Sequence, residues 1–95
     1  MYDQLLFAFH FFDRYRTFFL TMQQRGMYDV LIGSVNDFVT RYITLSGDHS
    51  VYHLYSYAGS LLNCFLMWEK GGRRESAEDV AYSLSRLYLS LDEAP

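Results

Sequence analysis

His53, Ser56, Ser60 and Cys64 follow one another at three- and four-residue intervals. On a helix this spacing aligns them along one strip, which on paper sets a nucleophile beside a base. Neither a glycine-rich turn to present the nucleophile nor an obvious oxyanion hole accompanies them. Serines and a cysteine on a helix surface are commoner as polar filler, so the chain is expected not to be an enzyme. His10 and His53 are read as core or pocket-edge imidazoles rather than ligands, and neither a metal nor a cofactor is expected. The strip makes better sense as a few polar contacts in an otherwise apolar small-molecule pocket. His53, Ser56, Asn63 and Met67 would supply that side of the pocket, and Phe7, Phe11, Tyr15 and Phe18 the aromatic side.

The elements that must position these residues are helices. Ninety-five residues make one domain, 1–95, and a composition 51% hydrophobic and 19% aromatic fills a core and excludes disorder. No segment alternates as a strand would. A first helix covers about Tyr2 to Phe12. Asp13 stands where the N-cap of a second would, ahead of Tyr15, Phe18, Phe19 and Met22 at helical spacing. Gly26 ends that helix. A third, from about Tyr28 to Leu45, places Leu31, Val35, Phe38, Val39 and Tyr42 inside. Ser46, Gly47 and Asp48 break it, and Asp48 or Ser50 caps the fourth.

The fourth helix, residues 51 to 70, carries apolar residues over well over half its circumference, with a narrow polar strip at His53, Ser56, Ser60 and Asn63. A domain of this size has little room for a fully central helix, so a second molecule is expected to supply the missing cover. Gly71 and Gly72 close it. Ser76, with Asp79 three residues on, starts a fifth helix in the manner of a capping box, and Pro95 lies beyond it. Val80, Leu84, Leu87 and Leu91 form one stripe of that helix. Ala81, Tyr82, Ser85 and Leu89 extend it sideways, and with Tyr55, Gly59, Leu62 and Leu66 they are the expected homodimer interface. Gly59 in mid-helix costs about 1 kcal/mol relative to alanine, which close approach of another helix would explain. Trp68 would anchor either that interface or the inside of the domain.

A net charge of −3 argues against this chain alone gripping a phosphate backbone. The lone Cys64 fits a reducing compartment and a small buried hydrophobe. With no cleavable leader and no apolar run long enough to span a bilayer, a cytoplasmic protein without membrane contact is expected.

The run Asp13, Arg14, Tyr15, Arg16 with Phe18, Phe19 and Leu20, the Gly26 break and the long third helix carry a resemblance. So do Tyr57, Gly59, Leu62, Phe65, Trp68, Gly72, Glu75, Ser76, Glu78, Asp79, Val80 and Ala81 at their spacings. Together they resemble the C-terminal effector domain of TetR-type transcriptional regulators, in particular the subgroup that activates dihydroxyacetone kinase genes. The resemblance implies an all-α, five-helix domain whose last two helices pair with those of a second subunit in a four-helix bundle. It implies a small apolar effector, and DNA binding only through an N-terminal helix-turn-helix domain that does not precede Met1. The alternative is a helical protein–protein interaction module with no small-molecule ligand. A small enzyme using His53 and Cys64 stands well behind both.

Overall fold

A computed structural model describes residues 1–43 and 51–92. Five helices and no strand are found among them: α1 (Tyr2–Arg14), α2 (Arg16–Gln24), α3 (Tyr28–Tyr42), α4 (Val51–Lys70) and α5 (Ala77–Asp92). The expected break and caps at Ser46, Gly47, Asp48 and Ser50, the Pro95 terminus, and the side chains of Leu89 and Leu91 lie outside the described residues.

Three of the expected boundaries fall where the local residues place them. α2 ends in a Schellman turn, in which Gly26 at φ 70° donates to the Gln23 carbonyl and Met27 to that of Met22. α4 ends in the same way, with Gly72 at φ 82° donating to Glu69 and Arg73 to Trp68. A side chain at either glycine would meet the steric cost of the left-handed region. α5 starts at Ser76, whose Oγ accepts the Asp79 N–H at 3.1 Å.

Two other boundaries differ. Asp13 lies inside α1 rather than capping α2. The two helices are nearly continuous, with Tyr15 at φ −107° the only interruption and no side-chain cap. The carboxylate of Asp13 is instead drawn to Arg73, 2.7 Å away. α3 stops at Tyr42, short of Leu45, because Ile43 turns extended (φ −106°, ψ 132°) and sinks into the core. A β-branched side chain accepts that conformation readily.

α3 packs along α4, α1 along α5, and α2 closes against α3. The core between them is aromatic. Phe12 lies with its ring centroid 4.8 Å from Phe65, 5.2 Å from Phe19 and 5.9 Å from Phe9, and all four rings are essentially inaccessible to solvent. Edge-to-face pairs dominate this cluster, the arrangement that ring quadrupoles prefer. Leu5, Leu31, Val35, Leu61 and Leu62 fill the remaining space. Trp68 belongs to the same core: it meets Phe9 edge-on at 5.7 Å and its Nε1 donates to the Glu75 carbonyl at 2.8 Å. It is an internal anchor.

The rings of Tyr57 of α4 and Tyr88 of α5 meet at 5.4 Å, tilted by 37°. Burial, more than anything else, raises both phenols above their ordinary value of 10.0. The folded chain therefore holds these protons where the unfolded chain releases them, so rising pH favours unfolding. Stability should be level below pH 10 and fall above it, by about 1.4 kcal/mol per pH unit for each phenol still protonated in the fold. The Tyr57 hydroxyl is buried without a hydrogen-bond partner. Tyr57→Phe should therefore be neutral or slightly stabilising at pH 7 and should flatten the alkaline loss. Thermal melts from pH 7 to 11 check this, and an equal alkaline loss in wild type and variant would refute it.

Candidate functional site

The turn between α4 and α5 is fastened to the α1–α2 junction by charge. Glu69, its side chain 5% exposed, receives Arg16 Nε and Nη2 in a bidentate pair, both at 2.8 Å. That pairing is why the Arg16 guanidinium is raised still further. Arg73 follows at φ 55°, a conformation that disfavours a side chain. Three contacts hold it there. Its guanidinium stacks 4.2 Å over the Trp68 ring, reaches Asp13 at 2.7 Å and approaches Glu69 at 3.7 Å.

Pinned in this way, α4 and α5 stay apart enough to leave an open groove of about 690 Å³ lined by Cys64, Met67, Trp68, Val80, Ser83 and Leu84 among others. Val80 and Leu84, the first two residues of the apolar stripe of α5, line it. Val80 and Leu84 are half-buried and Leu87 is 50% exposed. Across the groove Met67 is 63% exposed.

Cys64 lies in this groove, half-buried, and burial pushes its thiol up. A nucleophile needs the opposite shift. His53 and Cys64 are eleven positions apart on one straight helix, about 16 Å at 1.5 Å per residue, so that imidazole cannot serve that thiol. Asp13, three residues after His10, is engaged by Arg73. Among the described residues no three His, Cys, Asp or Glu side chains are placed to hold a metal ion, and no helix is long and apolar enough to cross a membrane.

The eight expected ligand residues fall into separate places. Phe7, Phe11 and Tyr15 come together on the outer side of α1, where they line a recess of about 400 Å³ with His10, Arg14, Phe38 and Tyr42. Phe18 stands apart on α2, 40% exposed and edge-on to Phe19 at 5.5 Å. His53, Ser56, Asn63 and Met67 are exposed on α4 and do not line that recess. Two of the lining residues, Phe38 and Tyr42, read as core positions of α3 from periodicity. Phe38 is buried, but Tyr42 is 60% exposed. Nothing in the periodicity of α1 singles out Arg14 or His10; their role follows only from α3 packing beside α1's outer rings.

The expected dimer residues divide as well. Leu62, Ala81 and Ser85 are covered within the chain, since Leu62 and Ala81 are fully buried and the Ser85 hydroxyl donates to the Tyr82 carbonyl at 2.7 Å. In this arrangement they do not form an accessible face. Tyr55 and Tyr82 are about half exposed, and Gly59 and Leu66 are half-buried. A Cβ built on Gly59 would meet nothing within 4 Å, so no helix of the same chain approaches it closely. Gly59, Ser56, Asn63 and Met67 share the outer face of α4, and Leu89 lies outside the described side chains.

No family model matches the chain, no curated protein matches it in sequence, and no solved structure matches it in fold.

Proposed function

We propose that this chain is the dimerisation and effector-binding domain of a TetR-type transcriptional regulator, with DNA read by a helix-turn-helix domain that these residues do not contain. The observation that supports it most is the outer surface of the last two helices. α4 presents small residues there, with open space above Gly59, and Val80, Leu84 and Leu87 of α5 are only partly covered by their own chain. A second α4–α5 pair set against the first would bury Met67, Leu84 and Leu87 and bring helices together at the glycine. The accessible face is thus Tyr55, Gly59, Leu66, Met67, Leu84 and Leu87, without Leu62, Ala81 and Ser85.

The effector site in this reading is the aromatic recess of α1 and α3. Asp13 at the end of α1 and Arg16 at the start of α2 are tied to Arg73 and Glu69. A ligand that favours one placement of α1 against α3 would therefore act on the turn that holds the α4–α5 pair.

The native mass by light scattering after size exclusion, over a tenfold range of concentration, tests the association. A dimer of about twice 11.2 kDa is expected. A monomer throughout would remove the four-helix bundle and the strongest support for the regulator. A second reading, an interaction module without a small-molecule ligand, draws on the openness of both recesses to solvent. It predicts a protein partner on the same α4–α5 face and no response to small aromatic molecules.

A further inference from the structure

The recess between α1 and α3 combines stacked rings with an uncompensated cation. Phe38 lies nearly parallel between Phe7 (5.6 Å, 23°) and Phe11 (4.2 Å, 22°). The stack is not closed, for Phe7 is 51% and Tyr42 60% exposed. Its volume of about 400 Å³ lies in the size range of small-molecule sites. Among the described residues, the ionisable lining residues besides tyrosine are His10 and Arg14, and no carboxylate lines the recess.

Arg14 is the cation that matters. Of the carboxylates near the end of α1, Asp13 is 2.7 Å from Arg73, and Glu69 holds Arg16 in a bidentate pair. Among the described residues Arg14 forms no ion pair, and its guanidinium rests 5.7 Å from the Tyr15 ring centroid. A cation–π contact of this kind uses none of the guanidinium N–H donors in a hydrogen bond to a carboxylate. A planar fork of donors beside aromatic faces matches a carboxylate carried on an aromatic ring. The neighbouring recess of about 260 Å³, which shares Phe11, Phe38 and Tyr42, contains Asp37 beside Arg41. That recess carries charges of both signs, whereas Arg14 is the one arginine among the described lining residues of the larger recess, which matches a single carboxylate.

We infer that this recess binds a planar aromatic monocarboxylate of one or two rings, its ring against the exposed Phe7 and Tyr42 rings and its carboxylate on Arg14. The inference rests on the effector-binding reading above and supplies the ligand's chemical class. It is tested by titrating the chain with 2-naphthoate and with its neutral counterpart 2-naphthylmethanol, followed by backbone amide shifts. Naphthoate should bind at least about tenfold more tightly, the usual weight of a charge-assisted hydrogen bond, with shifts centred on Phe38. Arg14→Gln, an exposed change that leaves the core intact, should remove that advantage without weakening the alcohol. Phe7→Ser should weaken both. Equal binding of acid and alcohol, or an advantage that survives Arg14→Gln, would overturn the aromatic-acid inference and leave the effector site standing. Binding of neither compound to the folded chain, or shifts confined to α4 and α5, would overturn the inference and the placement of the effector site together.

Discussion

Phe12→Ala is expected to cost about 3–5 kcal/mol, at the upper end of what truncating one core side chain can remove. The reason is position. Phe12 is where α1, α2 and α4 meet, its ring centroid 4.8 to 5.9 Å from those of Phe65, Phe19 and Phe9, and it has no exposed surface. Aromatic rings cannot flow into the space left behind, because most are held edge-on by the next, so much of the cavity would persist. A single domain is stable by about 5–15 kcal/mol in all. The variant should therefore melt at least about 12 °C lower, or fail to fold at the growth temperature. Phe7→Ala removes the same ring from the same helix at a position that is 51% exposed. It is the matched control and should lower the melting temperature by only a few degrees. Chemical denaturation of both variants gives the comparison. Similar losses in the two would mean that the ring cluster is not the core of this fold.

A chain carrying both Met67→Arg and Leu87→Arg should remain as stable as the parent monomer and lose its ability to self-associate. The two side chains are 63% and 50% exposed, and exposed substitutions away from caps and cores usually change stability by about 0.5 kcal/mol or less. In the proposed bundle the same positions are buried against a second chain. Two arginines per subunit would then be placed in an apolar seam without partners, weakening association by about a hundredfold or more. Light scattering should show a dimer converted to a monomer while the helical circular dichroism and the concentration-independent part of the melt stay unchanged. Dimers that survive the double substitution would move the interface elsewhere. The aromatic outer side of α1 and α3 would then be the next face to test, since it also leaves Phe7, Tyr15 and Tyr42 exposed.

The series of helices and most of their ends were legible in the amino-acid sequence. Gly26 and Gly72 adopt the left-handed conformation at the ends of α2 and α4, and Ser76 caps α5. Each is decided by a few adjacent residues: a glycine that tolerates positive φ, or a hydroxyl within reach of an N–H three residues on. The inward face of α3 was legible for the same reason, because Leu31, Val35 and Val39 recur at the helical period and are all buried.

What each helix faces is a property of the folded chain alone. Asp13 has the residue type and position of a cap, yet it is paired with Arg73, and Arg16 reaches Glu69 across 53 positions of sequence. Ala81 and Ser85 look like a surface of small residues and are buried inside the chain, whereas Tyr42 looks like core and stands more than half in solvent. Periodicity reports that a helix has an apolar side, but side chains on that side are covered only where a second helix crosses them. The crossing points follow from packing between segments far apart in the chain, and the candidate recess and the open face of α4 and α5 are both products of that packing.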